Sequence, residues 1–201
     1  ILVQKLPLTK MIEGELRDEV LDQVVDDVGI QIDYMAKTID DFRDFFKPNK
    51  PKEKIKLSEI TNKVIDFLLY MLNIDSIKLN VNKIEDRTIN TYTNEVVQVL
   101  INIIKNARDA MLTREVENRT LDVKLLVEVD YAVIEIQDNA GGIKEDVIEK
   151  IFDPYFTTKS ATNGTGLGLY MSKTIIEQHC GGKISVANSE GGALFKIKLP
   201  I

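Results

Sequence analysis

Two pairs of alternating segments set the tightest limit on how this chain can fold. Leu121 to Val129 and Val133 to Gln137 flank a short turn near Asp130, and Lys183 to Ala187 and Ala193 to Leu199 flank Glu190, Gly191 and Gly192. Side chains in a strand point alternately to opposite faces, so each pair reads as a hairpin with one face buried. Segments of helical period surround them: Ile60 to Leu72, Asn94 to Met111, and Leu167 to Cys180, which Gly181 and Gly182 stop. Lys54 to Leu57 and Ile77 to Val81 add short strands, and Ser58 is read as the cap of the helix that follows. Strands and helices mix without regular alternation. The expected fold class is therefore α+β, a two-layer α/β sandwich whose mixed sheet carries helices on one face.

A different pattern lies upstream. Val20, Val24, Val28, Ile32, Met35, Ile39, Phe42 and Phe46 recur three or four residues apart with acidic and polar residues between them, so about 16–46 reads as one long amphipathic helix. Its stripe needs cover, from the folded core or from another helix, and pairing into a homodimer is the sharper expectation. Leu2, Leu6, Leu8 and Ile12 fit the stump of a preceding helix, although Pro7 would break its interior. Lys47 to Lys56 holds Pro48, Pro51 and five lysines, the composition of an exposed linker. The expected division is a helical region over 1–47, a linker over 48–56 and a folded domain over 57–201.

Composition limits the partners. A net charge of -6 argues against general attraction to nucleic acid or anionic membrane, so a phosphate site has to be built locally. No apolar run approaches the roughly 20 residues of a membrane helix, and ILVQKLPLTK is no cleavable signal peptide. The single cysteine, Cys180, excludes an internal disulfide and fits a small buried residue in a reducing compartment. A cytoplasmic location is expected, with no membrane contact. The missing initiator methionine points to an excised piece of a longer parent, which leaves room for a membrane anchor elsewhere.

Four segments carry candidate chemistry. In Asn163 to Leu169, NGTGLGL, glycines at 164, 166 and 168 let backbone amides approach a ligand, and the helix that follows offers unpaired N–H groups suited to phosphate. The bland alternative is a tight turn. In Asp138 to Ile143, DNAGGI, a carboxylate at a strand end beside glycines can accept a hydrogen bond from an exocyclic amine such as that of adenine, or simply end a hairpin. Asn102 and Asn106 lie four apart on one helix face, with Asp109 extending the polar edge, as ligand or metal contacts or as surface asparagines. Finally, IFDPYFTTK, Ile151 to Lys159, sits between the two glycine-rich segments, as a loop or as a lid over bound ligand.

In this order the four segments resemble the nucleotide-binding boxes of the histidine kinase branch of the superfamily that also holds gyrase-type and MutL-type ATPases and Hsp90 chaperones. The resemblance runs from about Lys54 to Pro200. It implies an ATP-binding catalytic domain in which Asn106 holds Mg2+, Asp138 meets the adenine amine, and Asn102 and Lys159 serve catalysis. It carries further ATP contacts to Asp109, Gly142, Ile143, Phe156, Thr157, Thr158, Lys159, Gly164, Thr165, Gly166, Leu167 and Gly168. IDYMAKTIDDFRDFFKP is similar to the end of the second helix of the dimerisation and phosphotransfer hairpin. The implied activity is transfer of the ATP γ-phosphoryl group to a histidine, for relay to the receiver domain of a response regulator.

Two departures stand out. Ala140 occupies a position where the first glycine box usually has glycine, and the phosphoacceptor histidine with its acidic neighbour is missing, because the only histidine is His179. His179 lies 11 residues beyond Gly168, roughly 16 Å along a helix axis, too far to reach the γ-phosphate of its own site. The fragment is therefore not expected to phosphorylate itself. Rival expectations are an ATPase of the same superfamily, which would carry glutamate at the position of Asn102 to activate water, and a degenerate module serving dimerisation or partner binding alone.

Overall fold

The computed structural model describes residues 25, 28, 29, 51–159 and 164–201. The chain divides into two compact units, one made of 1–46 with 158–165 and the other of 47–157 with 166–201. In the first, Val25, Val28 and Gly29 are helical, and both valines are exposed. The rest of the expected 16–46 helix, and the stump before it, lie outside the described residues.

The second unit runs β1 (Glu53–Lys56), α1 (Leu57–Ile74), β2 (Lys78–Lys83), β3 (Thr88–Thr91), α2 (Thr93–Thr113), β4 (Thr120–Glu128), β5 (Tyr131–Asp138), a single turn α3 (Glu145–Ile148), α4 (Gly168–Thr174), β6 (Lys183–Ser189) and β7 (Gly192–Pro200). Five strands form a mixed sheet in the order β2-β4-β5-β7-β6, with β2 parallel to β4 and the other pairs antiparallel. Both expected hairpins are present. Two-residue turns close them, and at the second turn Glu190 and Gly191 both have positive φ, the geometry that follows strand twist.

Cross-strand register puts Val123, Ile136 and Phe195 in one row and Leu125, Ile134 and Ile197 in the next, all buried on one face. Helices cover that face. α1 turns Ile60, Val64, Leu68 and Leu72 inward, and α2 turns Val96, Val99, Leu100, Ile103 and Ala107 inward, at the three- and four-residue spacing a helix stripe requires. The opposite face carries charge. Lys196 pairs with Glu135 at 2.8 Å, and Lys198 with Glu128 at 2.5 Å. No helix among the described residues is long and apolar enough to cross a membrane.

Two local expectations are corrected, and a short strand lies where it was expected. Ser58 does not cap α1, because the helix begins at Leu57; instead its N–H (3.0 Å) and hydroxyl (2.7 Å) donate to the Asp86 carboxylate. The short strand expected at Lys54 to Leu57, at the end of the segment read as a linker, is β1, which pairs with β3 through Ile55 opposite Ile89, two buried side chains that hold the lysine-rich strand down. The helix expected from Leu167 to Cys180 is α-helical only to Thr174 and then widens into a π turn over Ile175–His179. There the Cys180 N–H donates to the Ile175 carbonyl (2.9 Å) and the Gly182 N–H to that of Ile176 (2.8 Å). Gly182 has no room for a side chain, since a Cβ would stand 2.2 Å from the Lys198 carbonyl oxygen.

Candidate functional site

Asp138 is the last residue of β5 and falls on the helix-covered side of the sheet, 6% exposed. Its Oδ1 accepts from the N–H groups of Ala140 (2.8 Å) and Ala193 (3.2 Å), whereas Oδ2 takes no hydrogen bond from a described residue. Burial pushes the carboxyl above its ordinary value, and the two amides together with the Arg114 charge only partly oppose this. A buried acceptor with one open oxygen is suited to a ligand's N–H donor.

The turn after Asp138 is held from four sides. Gly141 (φ +83°) and Gly142 (φ +74°) take the left-handed conformations, while Ala140 has an ordinary negative φ, so its methyl group is accommodated and buried. Arg114 Nη1 donates to the carbonyl of Ala140 and, at 2.8 Å, to that of Gly142. Asn188 bonds both the N–H and the carbonyl of Ile143 at 2.7 Å, acting as a one-residue strand partner. The Gly141 N–H donates to the Gly191 carbonyl (2.6 Å), and Asn139 bridges to Thr120 and Asn118. Of these, Arg114 and Asn188 escape sequence reasoning, because each contacts the turn across 26 to 45 residues and neither belongs to a local pattern.

α2 brings the asparagines to the neighbouring wall. Asn102 Nδ2 donates to Ser172 Oγ (3.0 Å), whose hydroxyl donates to the Gly168 carbonyl (2.9 Å). A Cβ on Gly168 would lie 2.6 Å from Asn102 Oδ1, so the absence of a side chain lets the asparagine lie against the start of α4. Ser172 is a further residue the sequence pattern did not single out. Asn106 lies one turn along the same face and is half-buried, and the Asp109 carboxylate accepts from Arg108 Nη1 (3.2 Å).

Phe152 packs edge-on against Phe195 with ring centroids 6.5 Å apart, and Lys173 lies over its face. Gly166 (φ +67°) abuts the Tyr155 backbone, where a Cβ would meet the carbonyl carbon at 2.4 Å. Phe156 is half-buried, Thr157 is exposed and Leu167 is buried. Thr158, Lys159, Gly164 and Thr165 belong to the first compact unit. His179 sits in the π turn with Nδ1 2.8 Å from Glu95 Oε2, at the opposite end of α2 from Arg114. Cys180 is buried, and burial pushes its thiol up.

The donor set distinguishes between ligands. Asp138 and the two left-handed glycines fit an amine-bearing ring approaching closely. Among the described residues no group of three or more His, Cys, Asp or Glu could hold a metal, so a divalent cation bound near Asn106 would take most of its oxygens from a ligand, as magnesium does with phosphates.

Residues 91–201 match the family described as histidine kinase-, DNA gyrase B-, and HSP90-like ATPase. The chain is 38% identical over 110 residues to the two-component sensor PprA of Pseudomonas aeruginosa, covering 53% of this chain and 12% of that protein. It is 35% identical over 151 residues to sporulation kinase E of Bacillus subtilis, covering 74% and 20%. The chain thus spans a minor part of the length of the curated relatives it matches. Among solved structures, the nucleotide-free catalytic domain of histidine kinase ThkA superposes with a TM-score of 0.66 at 30% identity, covering 74% of this chain and 95% of that one. ThkA in complex with the response regulator TrrA shares the fold, with a TM-score of 0.68 at 24% identity, covering 90% and 52%.

Proposed function

The chain belongs to the histidine kinase-, DNA gyrase B- and HSP90-like ATPase family, and from that premise we propose that it is the Mg-ATP-binding catalytic core of a sensor histidine kinase. The observation that carries this reading is Asp138, buried at a strand end with one carboxylate oxygen open beside two left-handed glycines. Asp138 accepts the adenine amine, and the turn through Gly142 and Ile143 lines the base. Asn106 lends its amide oxygen to magnesium. Magnesium held there would supply charge neutralisation on the phosphates during γ-phosphoryl transfer. By their place in the sequence, Phe156, Thr157, Thr158, Lys159, Gly164, Thr165, Gly166, Leu167 and Gly168 serve as lid and loop toward the phosphates. Asp109 extends the polar edge of α2.

Asn102 favours phosphoryl transfer to a histidine over hydrolysis, because an amide cannot act as the general base that activates water. Its bond to Ser172 gives it a positioning role at the start of α4. The acceptor histidine lies in another segment or chain, from which the phosphoryl group passes to a response regulator receiver domain. His179 is engaged with Glu95 at the far end of the helical segment that starts at Gly168. Incubation with ATP labelled in the γ-phosphate tests the assignment. Acid-labile, base-stable label should form only when a separate histidine-bearing helical domain is added. Label on the chain alone that vanishes in His179→Gln would contradict it.

A further inference from the structure

Arg114 forms the C-terminal cap of α2, and its own N–H donates to the Ala110 carbonyl (3.1 Å). Its side chain then leaves the helix and lies on the turn after Asp138. Nη1 donates to both the Ala140 and Gly142 carbonyls, and a Cβ on Gly141 would stand 3.2 Å from the same nitrogen. The guanidinium therefore fills the space that Gly141 leaves open and draws two carbonyls of one turn together. Arg114 lies eight residues beyond Asn106 on the same helix, about 12 Å along its axis. One rigid element thus carries the asparagines at one point and grips the base-reading turn at its end.

We propose that Arg114 is a positioning residue of the nucleotide site, setting the distance and orientation between the asparagine-bearing face of α2 and the Asp138 turn. The proposal rests on the nucleotide reading above and adds the residue that joins its two halves. Electrostatics point the same way. Arg114 supplies the charge that acts on Asp138 from the end of α2, and the loop and β7 contribute the amides of Ala140 and Ala193. Burial dominates and raises the carboxyl, and Arg114 pulls it back toward ionisation. Loss of that charge should raise it further, so nucleotide binding that needs the carboxylate as acceptor would fail at a higher pH.

The test measures ATP and GTP affinity by calorimetry from pH 5 to 8 for the parent chain, Arg114→Gln and Arg114→Lys, with circular dichroism to confirm folding. Arg114→Gln should bind ATP about ten-fold more weakly, lose part of its preference over GTP, and move the acid limb of binding to higher pH. Arg114→Lys, which keeps the charge, should restore the acid limb and much of the affinity. A folded Arg114→Gln with the affinity, preference and pH profile of the parent would overturn the proposal. So would a weakened variant whose acid limb stays put and which lysine does not rescue, since that behaviour belongs to a merely structural contact. A parent chain that binds no ATP would instead remove the nucleotide reading itself, before any Arg114 variant is compared.

Discussion

At Asp138, burial and hydrogen bonding pull in opposite directions. The carboxyl is held above its ordinary value of 3.8, so the folded chain keeps the proton more tightly than the unfolded one. Ionisation then costs folding free energy that is absent below 3.8 and fully present once pH exceeds the folded value. Asp138→Asn removes that cost while its amide oxygen still accepts from Ala140 and Ala193. In the proposed reading the same change puts a donor where the adenine amine needs an acceptor. The variant should keep or gain thermal stability at pH 7 without nucleotide, and should lose ATP preference over GTP by roughly ten- to a hundred-fold. Melting curves and competitive binding read both effects, and a destabilised variant with unchanged preference would contradict the role. Asp138, Asn102 and the glycines were legible in the sequence because they sit in compact, unusual strings. Arg114, Asn188 and Ser172 were not, because each acts through a contact far along the chain on a residue type that is ordinary in its surroundings.

Among the elements, α1 owes its start to a side chain 28 residues away. Burial pushes the Asp86 carboxyl up, but hydrogen bonds from Ser58 and the Lys83 ammonium outweigh it and hold the carboxyl below its ordinary value. That stabilisation is present above the unfolded value of 3.8 and is lost as pH falls through the folded one. Asp86→Ala should therefore cost about 1 kcal/mol at pH 7, the usual size of a lost helix cap. Denaturant titrations should show the difference closing in strong acid; a gap of constant size at low pH would refute the electrostatic account. The hairpins were readable since period-two alternation survives in β4, β5, β6 and β7. β3 was missed, being four residues of which only Ile89 and Thr91 face inward. The π turn leaves no mark on the apolar pattern; just beyond it Gly182 lies so close to β7 that a Cβ would stand 2.2 Å from the Lys198 carbonyl oxygen.

At the scale of the second unit, a mixed sheet covered by helices on one face brings the turn after β5 against the C-terminal end of α2 and the start of α4 against the α2 asparagine face, and in the proposed reading these parts share one nucleotide. From the sequence alone we propose that the stripe from Val20 to Phe46 serves assembly, pairing two chains into a homodimer. Light scattering across a concentration series should report twice the chain mass of 22.8 kDa, and a monomer at the highest concentration would remove that part of the account. The central claim, that this fold holds Mg-ATP through Asp138, is tested most directly by titrating the chain with ATP in a calorimeter, with and without magnesium, beside Asp138→Ala. The account predicts saturable, magnesium-dependent heat for the parent and an affinity roughly ten- to a hundred-fold weaker for the variant. No heat from the parent, or equal affinity in both chains, would contradict it.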